Sequence, residues 1–219
     1  RAKEYEWLNK LGLDYVDVFY SHRYDPETPL EETMQALVDI VRQGKALYVG
    51  LSRYPADKAE EAYRYLEARD VHCLLYQGRY NLFDRAPEEE GILGQARAYG
   101  VGFIAFSPLA QGLLTSRYLQ GVPEDSRMAQ GRFLKREVLT EAVLEKIKAL
   151  DRVAAERGQT LAEMSLAWVL KDELVTSVII GASSVAQLED NLKALRKVDF
   201  SREELDRIEA ICHTPDGGQ

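Results

Sequence analysis

Several side chains capable of chemistry stand where an apolar run gives way to a turn. His22 closes the run Tyr15–Tyr20 (YVDVFY) and is followed by Tyr24 and Asp25. An imidazole there can donate to an oxygen on which negative charge develops, and reactive groups gather at strand ends. The plain alternative is a histidine that closes the turn through a backbone hydrogen bond. Ser52 and Arg53 follow LYVGL, and both can donate to an oxygen acceptor, although Ser52-Arg53-Tyr54-Pro55 also reads as a turn into a helix. Gln77 ends a third run, where an amide could pair with another amide; alone it is a weak signal. Phe106 ends a fourth, and by itself a strand aromatic reads as core. Arg117, Ser126 and Arg127 lie in a long polar stretch, where guanidinium would suit a phosphate but solvated loop charge is the simpler reading. In Gly181–Asn191 (GASSVAQLEDN) small residues would let backbone approach a phosphate at a helix N-terminus, while Ser184 and Gln187 have the spacing of a capping box. His72 and His213 have no such surroundings and read as structural or surface residues.

The elements that must position these residues alternate. Strands are expected at Tyr15–Tyr20, Leu47–Leu51, Cys73–Tyr76, Gly102–Phe106 and Ser177–Ile180. Between and after them, helices are expected at Pro29–Gln43 (stopped by Gly44), Pro55–Arg69, Glu88–Tyr99, Glu141–Glu156, Leu161–Lys171 and Val185–Leu195. A last helix, Arg202–Cys212, has Ser201 and Glu204 at capping-box spacing, and Arg1–Leu13 reads as an amphipathic helix. Ala110–Arg136 breaks the rhythm as a long loop of the kind that covers a ligand, and the tail Thr214–Gln219 reads as frayed.

Near-continuous apolar strands between helices imply a parallel sheet buried on both faces. Five strands do not close the eight-stranded (β/α)₈ barrel, and an open doubly wound sheet is the alternative. No G-x-G-x-x-G turn follows any strand, so the usual dinucleotide fingerprint is missing. Spacing alone leaves the two arrangements open.

Composition narrows the partners. The 219 residues are 46% hydrophobic and 29% charged, which suits one soluble domain over residues 1–219. A net charge of −8 argues against nucleic acid and anionic membrane, so an anionic ligand would need locally placed cations and amides. Cys73 and Cys212 lack metal-type spacing, which favours a reducing cytoplasm and no metal site. No apolar run reaches the roughly 18 residues of a membrane span, and no signal peptide is visible. A homo-oligomer is left open.

The chain resembles the aldo-keto reductase family from about Leu11 onward, through LGLDYVDVFYSHR, GKALYVGLSRYPAD, YQGRYNLF, GFIAFSPLAQGLLTSRY, PEDSR and SVIIGASSVAQLEDN in the family's order. Within it the resemblance is greatest to the bacterial glyceraldehyde 3-phosphate and methylglyoxal reductase branch and to potassium-channel β-subunits. It implies a (β/α)₈ barrel of which this chain holds about strands 4–8, with Ala110–Arg136 covering the cofactor. It further implies NADPH and the reduction of small aldehydes or ketones by direct hydride transfer, with a nicotinamide-binding regulatory subunit as the alternative. On this resemblance His22 orients the carbonyl, and Ser52, Arg53 and Gln77 hold the nicotinamide carboxamide. Phe106 stacks on the ring, with Ser107, Pro108, Leu109 and Gly112 beside it. Arg117 and Arg127 lie near the phosphates or adenosine, and Gly181, Ser183, Gln187, Asp190 and Asn191 take the 2′-phosphate and adenine. The family's Tyr, Asp and Lys come from segments before its fourth strand. At about 250 residues for eight units, roughly 90 or more residues precede this point in the family, and the chain alone is expected to be inactive.

Overall fold

The computed structural model describes residues 6–119 and 139–213. Within these the chain forms two units, one of Arg1–Gly78 with Ala86–Ile104, the other of Arg79–Arg85 with Ala105–Gln219.

The first unit begins with α1 (Glu6–Leu11), then β1 (Val16–Ser21), α2 (Leu30–Arg42), β2 (Ala46–Ser52), α3 (Ala56–Glu67) and β3 (Cys73–Arg79). Strands β1 and β2 pair in parallel from Val16↔Ala46 to Ser21↔Leu51, and β2 pairs with β3 in parallel up to Ser52↔Gln77, with a register shift between Val49 and Gly50. Four consecutive buried residues, Val49–Ser52, show β2 covered on both faces, as a parallel sheet under helices requires. The helices supply that cover through Met34, Leu37, Val38 and Ile40 of α2 and Ala59, Ala62, Tyr63 and Leu66 of α3. Each fully buried leucine of this kind contributes about 1.5–3 kcal/mol. Gly44 stops α2 in a left-handed turn at φ 68°, its N–H bonded to the Val41 carbonyl at 2.9 Å.

One sequence expectation fails here. The single helix expected over Glu88–Tyr99 is two, α4 (Ala86–Glu89) and α5 (Ile92–Ala98). Gly91 between them adopts φ 76°, a left-handed conformation that interrupts a right-handed helix. Strand β3 also runs three residues past its expected end at Tyr76.

Two glycines let aromatic rings lie directly on the sheet. A Cβ at Gly50 would sit 2.5 Å from Tyr20 Cε1, and one at Gly78 would sit 2.7 Å from Phe103 Cζ and 3.3 Å from Tyr76 Cε1. Phe103 and Tyr76 are stacked with centroids 5.8 Å apart, so the Phe103 ring has no free side to move into. Gly78→Ala should therefore lower stability by about 1–3 kcal/mol, the usual cost of overpacking, read as a drop in the urea midpoint at unchanged slope. An unchanged midpoint would show that Phe103 is not confined.

Strand β4 (Gly102–Phe106) is shared between the units, and β5 (Ser177–Ile179) lies in the second; the sheet order is β1-β2-β3-β4-β5. The second unit adds α6 (Glu141–Glu156), α7 (Leu161–Val169), α8 (Val185–Leu192) and α9 (Arg202–Cys212), with short 3₁₀ turns at Ala110–Gly112, Ser116–Tyr118 and Lys193–Arg196. Helix α8 is thus three residues shorter than expected and finishes in a 3₁₀ turn, and α7 is two shorter. Its core centres on Trp168, packed against Tyr80 at 5.4 Å, with Arg85 and Lys171 over the indole at 4.4 and 4.1 Å. Ser201 and Glu204 form the expected capping box at the start of α9. The expected loop Ala110–Arg136 is described only as far as Leu119, and the tail Thr214–Gln219 lies outside the described residues.

Candidate functional site

Parallel pairing puts the C-terminal ends of β1, β2 and β3 on one edge of the first unit's sheet. His22 leaves β1 exposed, Ser52 ends β2 at only 3% exposure, and Gln77 faces Ser52 in the ladder, half-buried. Among the described residues nothing hydrogen-bonds the His22 imidazole, so no backbone bond closes the turn through that ring. The loop beyond it is held instead by Asp25, whose carboxylate accepts from the Glu27 amide at 3.0 Å and the Thr28 hydroxyl at 2.8 Å. The Thr28 bond first, and then the Glu27 amide, hold the Asp25 carboxyl below its ordinary range.

After Ser52 the chain leaves the ladder through Arg53 at φ 55°, a region that non-glycine residues rarely enter. The Arg53 carbonyl accepts from the Tyr24 amide at 3.4 Å. Tyr54 follows, its hydroxyl 2.7 Å from Ser21 Oγ and its ring met edge-on by Tyr24 at 5.6 Å. The Tyr54 amide donates to the Tyr76 hydroxyl at 3.1 Å, which donates in turn to the Tyr54 carbonyl at 2.8 Å. Burial pushes both phenols up, Tyr76 to about 12, so both stay protonated at neutral pH.

The second unit holds a cavity of about 820 Å³. Its wall begins with Phe106, Ser107, Pro108 and Leu109 at the end of β4 and continues through Gln111, Gly112, Thr115, Arg117 and Tyr118. It is completed by Ile179–Ser183 and Gln187. The β4 end is irregular, with Ser107, Ala110 and Gln111 at φ 52°, 47° and 58° and Gly112 at 100°. Buried Asn81 holds that bend: its amide donates to the Ser107 carbonyl at 3.0 Å while its own oxygen accepts from Phe83 and Asp84 amides. Thr115 Oγ1 donates to the Gly112 carbonyl at 2.7 Å and accepts from the Arg117 amide at 3.3 Å, which sets the turn carrying Arg117.

At the opposite wall the capping-box reading of Ser184 and Gln187 is half right. Ser184 Oγ accepts from the Gln187 amide at 3.1 Å, but Gln187 Oε1 turns to the Ser183 amide and hydroxyl at 2.6 and 2.9 Å. The Gln187 side chain thereby orders the cavity lip rather than the Ser184 amide. Gly181 has no atom within 4 Å of where a Cβ would stand, so the backbone there is open to a ligand.

Of the residues singled out for the second unit, Phe106, Ser107, Pro108, Leu109, Gly112, Arg117, Gly181, Ser183 and Gln187 line this one cavity. Asp190 and Asn191 do not. The Asp190 carboxylate is held by Lys193 at 2.6 Å, and Asn191 is buried with no partner for Nδ2 among the described residues. Arg127, with Ser126, lies outside the described residues. Gln111, Thr115 and Tyr118 line the wall without a sequence signal, and Asn81 acts through a contact 26 residues away. Gln111 Oε1 is buried without a partner among the described residues, an acceptor available to a donor in the cavity. Aromatic wall, bare glycine backbone, arginine and free amide acceptor together suit an elongated ligand with a flat ring and phosphates, and the volume falls within the range of cofactor sites. Among the described residues no His, Cys, Asp and Glu cluster could hold a metal, and no helix is long and apolar enough to cross a membrane.

A profile of the Aldo/keto reductase family matches residues 2–213. The chain is 48% identical to an L-glyceraldehyde 3-phosphate reductase of Escherichia coli O157:H7 over 214 residues, 96% of this chain and 61% of that protein. It is 38% identical to a probable voltage-gated potassium channel subunit beta of Oryza sativa subsp. japonica, over 94% of this chain and 65% of the other. Against the crystal structure of a thermostable aldo-keto reductase in complex with the inhibitor epalrestat, the TM-score is 0.70 at 30% identity, over 93% of this chain and 62% of that one. The chain thus spans about three fifths of the length of these relatives.

Proposed function

The chain belongs to the aldo/keto reductase family, and from that premise we propose that it carries the nicotinamide-cofactor site of an NADPH-dependent reductase of small aldehydes or ketones. Its fold agrees: five strands with intervening helices are the aldo-keto reductase arrangement, part of a (β/α)₈ barrel rather than an open doubly wound sheet.

The observation that carries the proposal is the cavity running from Phe106 to Gln187. When bound there, the reduced nicotinamide supplies a hydride to a carbonyl carbon. Phe106 presents a flat face for the ring, excluding water from one side, and Ser107, Pro108, Leu109 and Gly112 line the same wall. Arg117 is placed to pair with phosphate, and Gly181 offers open backbone at the far end, beside Ser183, whose amide and hydroxyl Gln187 holds. Because no other arginine or lysine among the described residues lines the cavity, preference for a 2′-phosphate rests on Arg117 and uncharged donors. In the first unit, Ser52, Arg53 and Gln77 carry donors and an acceptor suited to a carboxamide, and His22 a donor for the substrate oxygen. The 48%-identical reductase supports a triose phosphate as substrate, and the sequence resemblance adds a small aldehyde such as methylglyoxal. Two free cysteines fit a reducing cytoplasm.

The 38% identity to a probable voltage-gated potassium channel subunit beta favours a second reading in which the cofactor is bound but scarcely turned over. Rapid mixing of NADPH-loaded full-length protein with methylglyoxal or glyceraldehyde 3-phosphate separates the two. Repeated oxidation of NADPH is the expected result. Tight binding with negligible turnover would establish the regulatory reading, and absence of any nicotinamide fluorescence change would overturn both.

A further inference from the structure

We infer that the buried Tyr76 hydroxyl is a positioning group for the carboxamide-binding pair Ser52-Arg53, acting through the backbone of Tyr54; this rests on the functional reading above. The β2–β3 ladder ends at Ser52↔Gln77, so beyond it the backbone of the departing chain has no strand partner. Tyr54 is buried, and its N–H and C=O would be orphans there. One side chain satisfies both: Tyr76 Oη accepts from the amide at 3.1 Å and donates to the carbonyl at 2.8 Å. The hydroxyl replaces the missing ladder.

What this clamp holds is not an ordinary turn. The residue before Tyr54 is Arg53, at φ 55°, a left-handed conformation that is costly for an arginine and from which it would relax toward negative φ if released. Relaxation would swing the Arg53 guanidinium and, one residue back, disturb Ser52. The clamp itself is rigid because the Tyr76 ring is stacked on Phe103 at an interplanar angle of 13° and backed by Gly78. Tyr54 extends the same framework to β1, its hydroxyl reaching Ser21 Oγ at 2.7 Å, next to His22. The ends of three strands are thus tied through two phenols.

The test uses two ligands, NADPH and adenosine 2′,5′-bisphosphate, which lacks the nicotinamide half. In the full-length protein Tyr76→Phe is expected to weaken NADPH binding about tenfold, of the order of one hydrogen bond with a buried partner left unmet, and to leave the bisphosphate unchanged. In an Arg53→Asn background, where the strained φ is better tolerated, the same change should cost NADPH less than about threefold. Equal weakening of both ligands would mark Tyr76 as merely structural, and no weakening would remove its role; either overturns the inference while leaving the cofactor site standing. If the unaltered protein binds neither ligand, the functional reading fails and this inference with it. Should Tyr76→Phe not accumulate folded, amide exchange at Arg53 and Tyr54 in the unaltered protein decides: slowing by NADPH but not by the bisphosphate supports the clamp, and no difference overturns it.

Discussion

Arg157→Met should cost the chain about 1–3 kcal/mol, the penalty of leaving polar partners without their donor. The Arg157 side chain is 1% exposed at the end of α6, and every edge of its guanidinium is used. One nitrogen donates to Glu204 at 2.6 Å, another to the Asp199 carbonyl at 3.0 Å and the Lys197 carbonyl at 3.4 Å, and Nε to Gln159 at 2.9 Å. Its flat face lies 3.7 Å from the centre of the Phe200 ring. Methionine would keep much of the volume and the contact with Phe200, so cavity formation is a minor part of the loss. The larger part is the loss of the donors to the Glu204 carboxylate, 24% exposed, and to the Asp199 carbonyl, whereas the Lys197 carbonyl still accepts from Gln159 at 3.2 Å. Glu204→Gln is the control. An amide oxygen can still accept from the Ser201 amide, as Glu204 does at 2.7 Å, so the cap survives, but the 1%-exposed guanidinium keeps its charge without a counter-charge and a larger loss of about 3–5 kcal/mol is expected. If Arg157→Met and Glu204→Gln shift the urea midpoint equally, the buried pair is not what holds α6 to α9.

The same pair sets a pH dependence of definite sign. Burial acts to raise the Glu204 carboxyl, but the Ser201 amide and the Arg157 charge outweigh it and hold the group below its ordinary range. A carboxyl depressed in the folded state contributes stability above its unfolded pKa and loses it as pH falls through the folded value. In Arg157→Met the depressing charge is gone and burial remains. The gap between the two proteins should therefore be widest near neutrality and narrow as Glu204 protonates in acid.

What could be read from the residues alone divides by the range of the interaction. β4 (Gly102–Phe106), α6 (Glu141–Glu156) and α9 (Arg202–Cys212) lie where expected to the residue. Each is bounded by a local signal: a glycine or proline at the margin, or a Thr140 or Ser201 cap that accepts the third amide of its helix. The split at Gly91 was hidden because a glycine within a helical period is compatible with either outcome; only its φ of 76° decides. The site divides in the same way. Phe106–Leu109 and Gly181–Gln187 are continuous segments, so their motifs announce them, and Phe106–Leu109, Gly181–Ser183 and Gln187 line one cavity. The clamp of Tyr76 on Tyr54 spans 22 residues and the bond of Asn81 to Ser107 spans 26. A tyrosine in a strand and an asparagine after one carry no pattern that reveals such partners. Asp190 shows the opposite range, since its carboxylate has a partner in a lysine only three residues on.

His22→Ala in the full-length protein should lower kcat/KM for a small aldehyde by about 100-fold or more while leaving the NADPH dissociation constant unchanged. The asymmetry follows from where the charge goes. Hydride addition turns a carbonyl oxygen into an alkoxide-like centre, so a donor aimed at that oxygen is worth more in the transition state than in the ground state. Cofactor binding involves no such change and, on the proposed function, draws on the Phe106–Gln187 cavity of the second unit, which His22 does not line. Exposure at the end of β1, with no hydrogen bond to the ring among the described residues, leaves the imidazole available for this task. His22→Gln, which keeps an N–H donor, should recover part of the loss in kcat, and recovery confined to KM would point to substrate positioning instead. If His22→Ala weakens NADPH binding as much as it slows turnover, the imidazole is a structural part of the strand end, and the assignment of the substrate oxygen to this edge of the sheet is wrong.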